Sequence, residues 1–370
     1  MATEIADRAG PGTVPEPPER DAFLDNAKFL LIVLVVVGHV WPLALVEAVR
    51  PAKGAYLWIT AFHMPAFVLL CGYLSRGFTG RPDQVRRLLA GVLAPYLVFE
   101  TLYTALDSAA RDRPFALTPT EPTFLCWFLA ALFVWRLTAP VWRAVPYPVP
   151  LAVLISLAAG TTTLGYDLAL PRVLMFLPWF VLGLRLRPEH LARLREPRVR
   201  GWAPFVLLGA AVGAYVFAPG TNVHWTWMSQ GYEGLGAGPV RYLLARVALF
   251  AIAAAMTAAF LALVPRRRTW FTGLGAVTLY PYLLHGLLTS AASAWGWHAP
   301  LLPWGLPGAA LLTAIGVVLA VLLSSAPVRR LARPLVEPPL PGLTGRTERE
   351  SRRRSSGKSD QPGTSEPRTA

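Results

Sequence analysis

Between residues 28 and 325 the chain returns repeatedly to apolar runs long enough to cross a lipid bilayer. Such a run needs about 20 residues in helical form to span roughly 30 Å of hydrocarbon. Inside lipid each backbone N–H and C=O must find its partner within the same segment, so the runs have to be helices. One or two would describe an anchor. Here ten candidates follow one another, near 28–47, 56–76, 87–107, 124–141, 148–164, 171–187, 202–218, 241–264, 270–292 and 303–325. The expected fold class is all-α, a polytopic membrane bundle of about ten transmembrane helices in a domain covering 23–330. The fifth and sixth candidates are the weakest, because "LAAGTTTLGYDLAL" is polar in its middle.

The flanking stretches read differently. Residues 1–22 and 331–370 are rich in Pro, Gly, Ser and charge, with little apolar surface to bury, and are expected to be disordered tails. The first apolar run begins only after a charged, Pro-rich segment, which is not a signal-peptide pattern. The two cysteines, Cys71 and Cys126, both fall inside apolar runs and read as small packing residues.

The net charge of +14 would suggest nucleic acid in a soluble chain. Here the basic residues gather between spans and near the C-terminus. With the N-terminus inside, fifteen arginines face the inner side, among them Arg76, Arg86, Arg87, Arg136, Arg143 and Arg185. Six basic residues face outward: Arg50, Lys53, Arg111, Arg113, Arg172 and Arg241. That asymmetry predicts cytoplasmic termini on an even number of spans in a multi-pass plasma-membrane protein, its inner arginines touching anionic lipid headgroups. No motif for reading DNA or RNA is present.

Ionisable side chains inside a span are expensive and mark function by default. His39 lies in the first candidate span, eleven residues after Lys28. At 100° per residue the two share a helix face to within about 20° and stand roughly 16 Å apart along the axis. Gly38 and Pro42 beside His39 read as permitting close approach and bending. His63, Glu100 and His285 sit in other spans at depths of roughly 19 to 22 Å by the same rise. Three histidines and a carboxylate therefore reach similar depth, although rotation about each axis is not given by spacing. Each also has a structural reading, as a hydrogen bonder between helices. No HExxH, paired-Cys spacing, GxSxG elbow or phosphate loop occurs, and no metal is predicted. The segment "PGTNVHWTWMSQGYEGLGAGPV" at 219–240 reads either as an interfacial aromatic belt or as a lip over a polar substrate, with Trp225 and Trp227 as binding faces.

Taken in order, "LDNAKFLLIVLVVVGH", "FHMPAFVLLCGYLSR", "RRLLAGVLAPYLVF", "WFLAALFVWRL", "FLPWFVLGLRL" and "LYPYLLHGLL" resemble the acyltransferase-3 family of integral membrane O-acyltransferases, in the fucose-4-O-acetylase-like branch. The family carries a basic residue, ten intervening residues and a histidine in its first span, matched here by Lys28 and His39. Lysine stands where arginine is more usual, keeping the charge but losing the bidentate fork. Cys71 stands where the family more often has serine.

The resemblance implies transfer of an acyl group, most often acetyl, from acyl-CoA to a hydroxyl, usually on a sugar or surface glycan. A hydroxyl needs a base to take its proton as it attacks the thioester, and histidine titrates in the right range. His39 is the expected general base, with Glu100 or His63 orienting it as in a triad. Lys28, with Arg86 and Arg87, is expected to hold the phosphates of acyl-CoA. Trp225, Trp227 and His285 are expected to meet the acceptor. Tyr73, Tyr282 and Trp127 are candidates for stabilising the oxyanion. Three alternatives stay open: an acyl-histidine intermediate, a small natural product or lipid as acceptor, and a proton-coupled transporter or flippase built from the same buried groups.

Overall fold

The structure is a computed structural model and describes residues 20–194 and 196–340. Most of the expected tails, 1–22 and 331–370, lies outside the described residues. Among the described residues every regular element is a helix.

Helix α1 (Ala22–Val40) starts where the Asp21 carboxylate accepts the Phe23 N–H at 2.9 Å, a side-chain cap for an otherwise unpaired donor. It ends where Trp41 turns extended and Pro42 follows. Helix α2 (Arg50–Leu74) carries proline in its first turn, where no N–H is missed, and runs back along α1. Next come α3 (Pro82–Ala110), which contains a π-turn at Leu89–Leu93, and α4 (Trp127–Ala144), entered through a tight turn at Phe124–Cys126. Helix α5 (Pro148–Ala159) is short. Helices α6 (Leu170–Met175) and α7 (Leu177–Arg185) meet at a bend of 58°. The remainder comprises α8 (Pro197–Phe217), α9 (Pro239–Leu263), α10 (Leu279–Ala294), α11 (Leu306–Leu323) and α12 (Ala326–Val336).

Among the described residues seven helices are long and apolar enough to cross a membrane, and the α6–α7 pair taken as one span makes eight. Each of the ten expected segments contains a helix, but α5 and α10 have only 12 and 16 residues. The reasons are local. The polar Gly160–Thr163 stretch stops α5. The start expected at 270 is broken into a short turn, Thr272–Gly275, whose last glycine lies against the Asp25 carbonyl of α1. Helix α12 continues past residue 330, with Arg329, Arg330 and Arg333 along it and the Tyr280 hydroxyl donating to Glu337 at 3.0 Å.

The core lies between α1, α2, α4 and α7. Helix α8 buries Ala203 alone and exposes Trp202, Phe205, Leu208 and Phe217. An apolar face of that extent suits lipid rather than water, and the protein is a multi-pass membrane protein.

Helices α2 and α7 cross in close contact. A Cβ on Gly72 would stand 2.1 Å from the Phe180 carbonyl oxygen, and one on Gly183 2.1 Å from that of Leu69. Only hydrogen fits on either side, so the two backbones touch, as small residues permit within membranes. Gly38 differs: a Cβ there would make ordinary contact with Ile59 at 3.9 Å, so close helix approach is not its role. Gly183→Ala is expected to lower the apparent melting temperature in detergent, consistent with about 1–3 kcal/mol for overpacking. Gly209→Ala, which meets nothing within 4 Å, should leave it unchanged. Equal melting curves for the two variants would show that the crossing is not tight.

Candidate active site

Where α1, α3 and α10 end and α2, α4 and α11 begin, the bundle encloses a cavity of about 1120 Å³. Val35, Met64, Phe176 and Leu319 supply apolar wall, and His39, Tyr56, His63, Arg172 and Tyr282 supply polar groups. Lys28 is not among the lining residues. It lies toward the other end of α1, paired with Asp25 at 2.7 Å.

The histidines follow one local rule. Nδ1 of His39 is 2.7 Å from the Val35 carbonyl, that of His63 2.9 Å from Ile59, and that of His285 2.7 Å from Pro281. Each carbonyl belongs to the residue four positions earlier and can only accept. The proton therefore sits on Nδ1, and Nε2 is left as the basic nitrogen, an assignment made from the bonding pattern. The His39 ring borders the cavity, edge-on to Phe124 with centroids 5.6 Å apart and to His285 at 5.3 Å. His63 lines the same cavity. His285 is fully buried behind His39, and its Nε2 has no partner.

The triad expected around Glu100 does not form. A main-chain carbonyl holds the His39 nitrogen that a triad carboxylate would bind. Glu100 instead accepts the Thr123 N–H through both oxygens, at 3.0 and 2.9 Å, and the Thr123 hydroxyl at 2.6 Å. It is 1% exposed and does not line the cavity. It fixes the start of the turn that presses Phe124 against His39.

Other expected residues divide. Trp227 lines the cavity and donates to the Tyr56 hydroxyl at 3.1 Å. Trp225 lies outside it, stacked on Tyr242. Arg87 is exposed and bound to Asp83 at 2.6 Å, and neither it nor Arg86 borders the cavity. Tyr73 packs under the Arg76 guanidinium at 3.7 Å, near the end of α2 remote from the cavity. The Tyr282 hydroxyl donates to the Leu125 carbonyl at 2.5 Å. Among the described residues no three His, Cys, Asp or Glu side chains converge.

Two arginines carry more than their sequence positions suggested. Arg246, 1% exposed, donates to the Trp225 carbonyl at 2.7 Å and the Gln230 carbonyl at 3.3 Å, clamping the segment over the cavity. It lies inside a span, so the rule that marked His39 also marks it. Arg172 stands at the edge of its span and reads from sequence as a topogenic charge. The bend before α7 brings it instead over the Trp127 ring, 4.7 Å from the centroid, facing the cavity. Its Nη1 donates to the Tyr166 hydroxyl at 2.9 Å, and its buried Nε has no partner.

An imidazole with a free basic nitrogen and a guanidinium in one largely apolar cavity make a site able to move a proton and steady a negative charge. Residues 21–326 match the acyltransferase-3 family, described as an acyltransferase domain, and the chain belongs to that family. Over 126 residues it is 32% identical to nodulation protein NolL of Mesorhizobium japonicum, covering 31% of this chain and 34% of that protein. The chain thus spans about a third of that relative's length. No solved structure matches.

Glu100→Ala should strand the Thr123 N–H and hydroxyl and destabilise the protein by about 1–3 kcal/mol, read as a lower melting temperature in detergent. An unchanged melting temperature would mean that the Thr123 groups find other partners.

Proposed function

We propose that the protein transfers an acyl group, acetyl in the first instance, from acyl-CoA to a hydroxyl of a carbohydrate or glycan, with His39 as general base. The observation that carries this reading is the His39 ring itself. Its Nδ1 is bound to the Val35 carbonyl, and it borders a cavity of about 1120 Å³, large enough for a sugar. The acceptor oxygen attacks the thioester carbonyl as its proton passes to Nε2. The tetrahedral intermediate collapses, the C–S bond breaks, and the departing thiolate takes that proton, leaving an ester and free CoA.

In this reading the ten segments all lie in the membrane, within a domain covering about 23–330, and both termini are cytoplasmic. Lys28 then faces the cytoplasm and the cavity opens outward. Support comes from the basic cluster at the Lys28 end, where Arg136 donates to Ser75 at 3.2 Å and Arg143 to the Arg76 and Phe78 carbonyls. The phosphates of CoA bind there, on Lys28 and neighbouring arginines, Arg86 among them. The acyl tip passes the floor near Val35, Met64 and Phe176 to reach His39. The acceptor enters past Trp227, in the plasma membrane's outer half, and His63 lends a second polar contact. The fucose-4-O-acetylase-like branch remains the preferred assignment on the ordered motifs.

Membranes given radiolabelled acetyl-CoA and a panel of glycosides should transfer label, and His39→Ala should lower transfer by about 10²-fold or more at equal expression. Lys28→Gln should raise KM for acetyl-CoA and leave kcat nearly unchanged. Undiminished transfer by His39→Ala would remove His39 as the base, and glycoside uptake without transfer would favour a carrier.

A further inference from the structure

Acyl transfer to a hydroxyl needs two things from its site: a base for the proton, and a donor for the negative charge that builds on the carbonyl oxygen. His39 meets the first need and leaves the second open, so the choice of a donor rests on the acyl-transfer reading. A donor able to serve must face the cavity and have hydrogens not already bound elsewhere. Most candidates fail the second condition. Tyr282 donates to Leu125, Tyr103 to Leu283 at 2.9 Å, and Thr60 to the Tyr56 carbonyl at 2.8 Å. Arg111 keeps free hydrogens, but it is exposed and its charge is balanced by Asp107 at 2.8 Å.

Arg172 meets both conditions. Its Nη1 is committed to Tyr166, Nε is buried without a partner, and among the described residues no hydrogen bond from Nη2 is present. Among the described residues it pairs with no carboxylate. Its other neighbours are the Trp127 and Tyr166 rings. It lines the same cavity as His39, Tyr56 and Tyr282. Half-buried against aromatic rings at the cavity wall, the guanidinium keeps an uncommitted edge. Among the described residues none supplies an anion to it.

We propose that Arg172 supplies the missing donor: its free edge binds the acyl carbonyl oxygen and stabilises the oxyanion of the tetrahedral intermediate while His39 holds the acceptor's proton. As the acceptor oxygen bonds to the carbonyl carbon, the C=O electron pair moves onto oxygen beside the guanidinium. When the C–S bond breaks, that pair returns and the thiolate leaves with the proton from His39. Trp127 holds the guanidinium from beneath and Tyr166 fixes its rotation, so little reorganisation is needed when charge appears. The neutral Tyr56 hydroxyl, which accepts from Trp227 and keeps its own proton, is the rival donor.

The test uses acetyl-CoA alone, because slow hydrolysis of the thioester by water passes through the same oxyanion and requires no acceptor. Full-length protein in detergent is assayed for thiol release at saturating acetyl-CoA, and for thermal stabilisation by desulfo-CoA, which binds but cannot react. Arg172→Gln should lower thiol release by about 10²- to 10³-fold while keeping the desulfo-CoA shift. Arg172→Lys, which retains a cation without the fork, should fall between, and it carries the test if the Gln variant does not fold. Tyr56→Phe should stay within a few-fold of wild type. Undiminished release by both Arg172 variants, or a large loss in Tyr56→Phe alone, would overturn the proposal. So would loss of the desulfo-CoA shift along with activity in Arg172→Lys, which would make the residue a donor anchor. Wild-type thiol release no greater than that of His39→Ala would instead sink the acyl-transfer reading, and the role of Arg172 with it.

Discussion

Two glycines set where the bundle is closed and where it is open. At Gly72 and Gly183 the backbones of α2 and α7 touch, leaving no room for a side chain. Toward the other end the chain does not continue along α2. Pro178 lacks an N–H to bond back into α6, and the axis bends by 58° between Met175 and Leu177. Helix α6 therefore packs on α4 and α5, away from α2. The volume left between α2 and α6 belongs to the cavity, and the same bend sets Arg172 over Trp127.

Within that cavity the polar groups are held by short-range bonds. His39 and His63, and His285 buried behind them, each tie Nδ1 to the carbonyl one turn earlier on their own helix. Such a bond needs no second helix and survives in lipid, where an unbound N–H would be strongly disfavoured. It fixes the tautomer without a carboxylate, so the basic nitrogen is set by secondary structure alone. Neighbouring helices contribute position. Glu100 and Thr123 hold the turn carrying Phe124, which packs edge-on to His39.

Charge is divided between the two ends of the bundle. At one, Lys28 is balanced by Asp25, and Arg143 by main-chain carbonyls. At the other, Arg172 meets aromatic rings and a hydroxyl and, among the described residues, no acid. Between them the helices pack through aromatic rings, Phe67 edge-on to Phe128 and Trp127 stacked on Phe176.

The helical class and the membrane setting were legible in the sequence, because hydropathy acts residue by residue; the cost of buried charge singled out His39 and His63 without fixing which way they face. Arg246 carried the same signal. Other features were set by tertiary structure. Depth along a helix can be counted, but rotation and packing cannot, so Glu100 shared a level with His39 and bonded elsewhere. Arg172, at the rim of a span, could not be told from a topogenic arginine until the bend before α7 turned it inward. Composition along the chain determined that this protein is a bundle of apolar helices with costly groups inside. Which of those groups face one another was decided by two glycines and a proline-linked bend, since contact between distant segments depends on how closely backbones can approach.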